Sequence, residues 1–293
     1  MESQRRFTPT FSFEFFPPRS EKGEEKLRKT RGALTELNPA YFSVTFGAGG
    51  STRDRTFETV TQIQREGRVA VAPHLSCIGS SREQIAELLQ AYREAGIRRL
   101  VALRGDIPSG MGDRGDLHYA SELVRFIRET TGDHFHIEVA AYPEMHPQAR
   151  NLLTDLEHFA EKVRAGADGA ITQYFYNADA YLRFVDHCEA MGLEIPVVPG
   201  IMPIGNYDGI VRFSESCGAE IPRYVRKHME AYRDDPDSQR AFGIDVVTDL
   251  CRRLVEAGAP GLHFYTLNQL EPTVRIWNNL GLSDYRRNES PAA

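Results

Sequence analysis

Eight short β-like runs recur along the chain, and segments with helical periodicity separate them. The runs lie at 9–16 (PTFSFEFF), 41–46 (YFSVTF), 69–75 (VAVAPHL), 98–104 (RRLVALR), 135–141 (FHIEVAA), 169–175 (GAITQYF), 195–201 (IPVVPGI) and 260–266 (PGLHFYT). Between the third and fourth, SREQIAELLQAYREAG reads as a helix. Ser81 and Gln84 form a capping box, Ile85, Leu88, Leu89 and Tyr92 make one apolar face, and Gly96 ends it. Segments 149–166 and 179–192 repeat the scheme. The interval 201–259 must hold more than one helix, with AEIPRYVRKHMEAYRDD and SQRAFGIDVVTDLCRRLVEAG as candidates. Strands alternating with helices, and no Pro/Gly/Ser linker between them, predict an α/β chain folded as a single (β/α)8 TIM barrel. An open doubly wound sheet would advertise a GxGxxG turn after its first strand, where this chain has PPRSEKG. The 293 residues suit one such barrel, which typically needs ~250. Residues 1–8 and 283–293 are expected to be flexible tails.

A net charge of −6 argues against nucleic-acid and anionic-membrane partners, both of which call for a basic face. No apolar run approaches the ~20 residues that span a bilayer. The start, MESQRRFTPT, has no apolar signal core, so a cytoplasmic location is expected. Cys77, Cys188, Cys217 and Cys251 form no CxxC and read as reduced thiols of such a protein.

In this fold the chemistry sits at the C-terminal strand ends. On the first strand Phe11, Phe13 and Phe15 share one face and Ser12 and Glu14 the other, so Glu14 faces inward near the top. The same parity turns Ser43 and Thr45, then Ala70, Ala72 and His74, then Glu138, Ala140 and Tyr142 into the barrel. Small interior residues topped by polar ones suggest a mouth open to a ligand. Other readings remain at this stage. Glu14 could be a structural acid paired with an arginine, and His74 an ordinary hydrogen-bonded histidine. Arg104-Gly105-Asp106 could be a turn held by an arginine–aspartate pair. Lysines 22, 26, 29, 162 and 227 all fall in helical segments, which disfavours a Schiff-base barrel enzyme. The HxH pair His134 and His136 begins its strand, the wrong end for a catalytic metal, and none is expected. An organic cofactor suits a wide mouth of this kind.

Eight segments carry a resemblance. FEFFPPR (13–19), SVTFGAGGSTRDRT (43–56), APHLSC (72–77), ALRGD (102–106), AAYPEMHPQA (140–149), AITQYFY (170–176), PGIMPI (199–204) and HFYTLN (263–268) resemble, in order, the methylenetetrahydrofolate reductase family. The likeness runs from about residue 10 to 282 and is to the short bacterial form, the catalytic barrel alone. It implies FAD-dependent reduction of 5,10-methylenetetrahydrofolate to 5-methyltetrahydrofolate with electrons from NAD(P)H, and a homo-oligomer, a tetramer in the bacterial members. Carried onto matching positions, it implies Glu14 as the acid that assists folate ring opening. Thr45, Phe46, Ala48, His74, Arg104, Gly105, Asp106, Tyr119, Ala120, Tyr142, His146, Ala149, Asp155 and Lys162 would line FAD. Thr45 and Asp106 would lie near its reactive ring, and His146 to Lys162 near its phosphate and adenosine side. Gln173 and Phe213 would meet folate or nicotinamide. Two positions depart from the family pattern: Gln269 stands where an arginine contacts folate, and Gly209 where a related enzyme has glutamine. The implied chemistry asks Glu14 to donate a proton at neutral pH, so its pKa is expected above the ~4.3 of free glutamate, raised by the surrounding phenylalanines. Asp106 would supply a fixed charge favouring a transient cation. A different flavin-dependent barrel oxidoreductase, of proline dehydrogenase type, and a pterin-binding methyltransferase barrel are the alternatives.

Overall fold

The computed structural model describes residues 1–46, 53–106 and 115–282. Its order is α1 (Glu2–Arg5), β1 (Thr10–Phe15), α2 (Glu21–Thr35), β2 (Tyr41–Val44), α3 (Arg53–Glu66), β3 (Ala70–Ser76) and α4 (Arg82–Glu94). There follow β4 (Arg99–Leu103), α5 (Ala120–Thr131), β5 (His136–Ala141), α6 (Leu152–Arg164), β6 (Gly169–Thr172), α7 (Ala178–Ala190), β7 (Val197–Val198) and β8 (Gly200–Ile201). The chain continues with α8 (Tyr207–Cys217), α9 (Arg223–Ala231), α10 (Pro236–Ala257), β9 (Gly261–Tyr265) and α11 (Glu271–Asn279).

All pairings are parallel, in the order β7-β6-β5-β4-β3-β2-β1-β9-β8. The two-residue strands β7 and β8 are halves of one stave, interrupted at Pro199, which has no N–H to give to a ladder. The Pro199 carbonyl still accepts from His263 N at 3.0 Å, so β7 meets β6 on one side while β8 meets β9 on the other. Eight staves therefore close the ring, as the alternation of the sequence predicts.

Two apolar layers result. Phe11, Phe13, Phe15, Phe42 and Val44 point outward and pack under the helices, with Trp277 of α11 edge-on to Phe11. Inside the barrel a small cluster of Tyr41, Ala72, Val101 and Ile171, flanked by Leu103 and Tyr265, fills the axis. Helix starts are fixed by side chains: the Ser81–Gln84 box forms as expected, and Asn151 accepts from Thr154 N. The interval after β8 holds three helices where two candidates stood. The extra one, α8, is capped by Asn206, whose side chain accepts from Gly209 N, and ends at Gly218 with φ of 77°.

The expectation of a loose leading segment is corrected. Gln4 of α1 is buried beneath the barrel, accepting from Val197 N at 2.8 Å and donating to Ile195 O at 3.2 Å. These bonds satisfy backbone groups at the start of the seventh stave that no strand neighbour reaches. The amino group of Met1 adds an ion pair to Glu189 at 3.0 Å. Residues 283–293, expected as the other tail, lie outside the described residues.

Candidate active site

Glu14 ends β1 inside the mouth, as parity requires, with its side chain 13% exposed. Its Oε2 gathers three neighbours from three strands. His263 Nε2 lies at 3.3 Å and the Ser43 hydroxyl donates at 3.4 Å. His74 Nε2 stands at 3.0 Å but off the line of a hydrogen bond, so it is a close charge contact. No arginine pairs with this acid among the described residues. The structural-acid alternative in its arginine form is therefore set aside.

The expected rise in the Glu14 pKa is corrected as well. Burial does push the carboxyl up, but the His74 charge and the hydrogen bond from His263 outweigh it, and the group is held at about 2. The phenylalanines that suggested a raised value all face away from it. Two imidazoles decide the matter.

Behind His263 the set continues inward. Its Nδ1 is 2.7 Å from Ser12 Oγ, and both residues are wholly buried. Ser12 shares the Glu14 face of β1, and the same parity applied to 260–266 turns His263 inward. That parity is legible in the sequence.

Beside this cluster a cleft of about 840 Å³ opens over the ends of β3 to β6 and against α5 and α6. Two residues beyond His74, Ser76 reaches the cleft wall, so the acid cluster and the cleft adjoin. Phe46, Arg104, Gly105, Asp106, Tyr119, Ala120, Tyr142, His146, Ala149, Asp155, Lys162 and Gln173 all line it. Glu14, Thr45 and His74 sit at the strand ends outside that wall. Phe213 is half-exposed on α8, whose Ser216 and Cys217 do reach the cleft. Gln269 is exposed in the turn after β9, held by its N–H to Thr266 O at 2.8 Å. Ala48 lies outside the described residues.

Arg104 does not pair with Asp106. Its guanidinium donates to Gln148 Oε1 at 2.6 Å and to Gly105 O at 3.2 Å, which removes the turn-pair reading. Gly105 has φ of 88°, and a Cβ there would stand 1.9 Å from Ser76 Oγ; only glycine lets the turn approach β3 this closely. Asp106, exposed at the cleft edge, makes no ion pair among the described residues.

Lys162 alters the exclusion based on lysines in helices. It belongs to α6, yet its Nζ reaches the strand end and donates to Ala140 O at 2.5 Å. Burial presses its pKa down to about 8 despite Asp155 nearby, and no carboxylate lies within ion-pair distance among the described residues. A desolvated cation with one neutral partner suits an anionic ligand. His146 accepts from Gln148 N on Nδ1 at 3.0 Å, which leaves Nε2 to carry the proton. Its backbone N–H donates to Asp155 Oδ2 at 2.8 Å, and Tyr142 stands edge-on to its ring at 4.5 Å. Burial, with Arg104 adding to it, lowers the His146 pKa, and burial lifts the Tyr142 hydroxyl to about 12. Tyr119, half-exposed, stacks on His158 at 5.9 Å and leaves an open aromatic face. Gln148 and His158 lie on no strand, so parity reports nothing of them, and the resemblance carries no role onto either.

Comparison with known proteins places this geometry. The family model for methylenetetrahydrofolate reductase matches residues 2–281. A 5,10-methylenetetrahydrofolate reductase of Pectobacterium carotovorum subsp. carotovorum is 41% identical over 92% of this chain and 90% of its own. The protein of that name from Escherichia coli (strain K12) is 38% identical over the same shares. Methylenetetrahydrofolate reductase (NADH) 1 of Arabidopsis thaliana is 40% identical over 94% of this chain but 48% of its own. Among solved structures, a protein of Clostridium thermocellum described as binding two copies of 5-methyl-5,6,7,8-tetrahydrofolic acid superposes with a TM-score of 0.66, at 15% identity, over 99% of this chain and 98% of its own. That likeness concerns the barrel alone. With a family model spanning nearly every residue and relatives matched over most of their length, the chain belongs to the methylenetetrahydrofolate reductases, a family of oxidoreductases.

Proposed function

We propose that this protein reduces 5,10-methylenetetrahydrofolate to 5-methyltetrahydrofolate with electrons from NAD(P)H, passed through FAD seated in the cleft. The observation that carries the reading is the Glu14 carboxylate, held among two imidazoles and a serine hydroxyl where the acid cluster adjoins the cleft. FAD would accept a hydride from the nicotinamide and deliver one to the folate methylene carbon. The donor set fits that group. Lys162 and Arg104 bring positive charge to the cleft, as a pyrophosphate requires. Tyr119 offers a flat face for an adenine, and Ala120 and Ala149 leave room beside it. Asp106 and Thr45 stand toward the strand ends, where the reacting ring would lie. Gln173 and Phe213 would meet the folate or the nicotinamide, and Gln269 the folate tail.

Opening the five-membered folate ring breaks a carbon–nitrogen bond, whose electron pair needs a proton. Glu14 with His74 and His263 supplies it. With its carboxyl held at about 2, Glu14 rests as the anion and passes on a proton that reaches it as the ring opens.

Anaerobic stopped-flow tests this reading. The purified protein should carry FAD absorbance, bleach with NADH or NADPH, and recover on adding methylenetetrahydrofolate. Recovery with a proline-derived imine instead would favour the proline dehydrogenase type. A cytoplasmic location and a tetramer belong to the same reading, and light scattering checks the second. No helix among the described residues is long and apolar enough to cross a membrane.

A further inference from the structure

The barrel interior below Glu14 departs from the layers of branched apolar side chains usual in this fold. Polar groups run along one side of it. His263 joins Ser12 at 2.7 Å. Ser12 lies opposite Tyr41 in the β1–β2 register, with its hydroxyl on the side of the Tyr41 phenol. Tyr41 donates to Glu138 Oε2 at 2.6 Å. Glu138 Oε1 accepts from Arg99 Nη1 at 3.1 Å and lies 3.7 Å from His136 Nε2. Ser12, Tyr41, Glu138 and His263 are all buried. His136, by contrast, is 36% exposed, at the start of β5 on the N-terminal face of the barrel.

Glu138 needs an explanation of its own. It is a carboxylate on the barrel axis, remote from the mouth, and such burial is costly. An ion pair that merely anchors Arg99 would account for Oε1. It would not account for Oε2, which opens a chain of groups able to donate on one side and accept on the other, ending at Glu14.

The geometry points to a proton path that refills Glu14 from the N-terminal face, through His136, Glu138, Tyr41, Ser12 and His263. This rests on the reaction proposed above. Each turnover consumes one proton, lost from Glu14 to the folate nitrogen as the carbon–nitrogen bond breaks. The hydride comes from NAD(P)H, so only the proton must come from water. With cofactor and folate stacked in the mouth, water is excluded from that side. A proton taken up at His136 passes to Glu138. The Tyr41 and Ser12 hydroxyls then each hand on one hydrogen and receive another. His263 takes a proton at Nδ1 and releases the one on Nε2 to the Glu14 carboxylate. The Glu138 carboxyl turns to carry the proton from Oε1 to Oε2, the Tyr41 hydrogen swings from Glu138 toward Ser12, and the net change is one proton from solvent to Glu14.

Tyr41→Phe in the FAD-loaded enzyme removes one hydroxyl and keeps the ring that packs on His263. Steady-state turnover with methylenetetrahydrofolate should fall by at least about tenfold, with a larger solvent deuterium isotope effect on the folate half-reaction. Reduction of bound FAD by NAD(P)H should stay at the wild-type rate. Wild-type turnover and isotope effect in this variant would overturn the path. If Tyr41→Phe does not fold, Ser12→Ala breaks the same chain and is read in the same way. A second measurement is independent of catalysis: the ¹⁵N shifts of His263 and the carboxyl ¹³C shift of Glu14 should move in Tyr41→Phe. Unmoved shifts would show that the chain does not reach Glu14. Should the wild type fail to reduce the folate, the reaction reading falls, and the NMR comparison alone decides whether the path exists.

Discussion

Glu14 and His263 meet across the β1–β9 seam, Oε2 of the acid 3.3 Å from Nε2 of the imidazole, although the chain between them makes nearly the whole barrel. With His74 on the other side, this contact turns a carboxyl that burial would raise into one held at about 2. His74→Asn keeps a polar side chain but removes the charge. The Glu14 pKa should then rise, read by carboxyl ¹³C NMR, and a value still near 2 would show that His74 does not set it. The sign also has a consequence for stability. A carboxyl depressed from 4.5 to about 2 stabilises the fold above pH 4.5, and that contribution is lost as pH falls toward 2. Glu14→Gln should therefore flatten the acid limb of a stability–pH curve.

The same substitution tests catalysis. Glu14→Gln keeps the shape but has no acidic proton. Flavin reduction by NAD(P)H should survive, while folate reduction should drop by about 10²-fold or more. Equal damage to both half-reactions would make Glu14 structural.

On the proposed reading, Lys162 should make FAD binding pH-dependent. Its pKa is pressed to about 8 by burial, and a phosphate beside it would favour the charged form and lift that value. Binding then favours the protonated lysine, so FAD retention should weaken as pH rises above about 8. Flavin released on ultrafiltration between pH 7 and 10 measures this. Lys162→Ala should lose flavin more readily at pH 7 and show a flatter profile. Retention equal to wild type would return Lys162 to a purely structural role.

What the sequence made legible is tied to short range. Period two along 11–15 sent three phenylalanines outward and Glu14 inward, and the structure agrees. Strand alternation points to the barrel, and the ALRGD and AAYPEMHPQA segments supply a little under half of the cleft wall. The Glu14 pKa is not legible locally, because its direction is decided by side chains on β3 and β9 that no local pattern reports. The position of the Lys162 charge is hidden from the sequence because a four-carbon stem carries it from a helix to a strand end. The anchoring of the leading segment is hidden too, because Gln4 docks through hydrogen bonds, which leave no hydrophobic signature.

That docking is itself testable. Gln4→Ala leaves the Val197 N–H and the Ile195 carbonyl without partners in a buried setting, at a cost of about 1–3 kcal/mol for each orphaned group. The melting temperature should fall by several degrees, with the FAD spectrum unchanged because the cleft is at the other end of the barrel. A melting temperature equal to wild type would mean that α1 is not fastened there.

Asp106 tests the electrostatics of the mouth. It lines the cleft, is exposed, and has no ion-pair partner among the described residues, because Arg104 turns to Gln148 instead. Its charge is therefore free to act on whatever occupies the cleft. Asp106→Asn keeps the shape and removes that charge. If it lies near the flavin ring, its loss should raise the FAD midpoint potential by on the order of 30 mV, which for a two-electron couple is about 1.4 kcal/mol. Reduction by NAD(P)H should be little affected. Transfer to folate should slow, because the driving force is smaller and the cationic folate has lost a counter-charge. A charge that only shaped the turn would give another pattern, with flavin loss or a lower melting temperature and both half-reactions impaired alike. Potentiometry with the two stopped-flow half-reactions separates these outcomes, and an unchanged potential with intact folate reduction would remove Asp106 from the reaction.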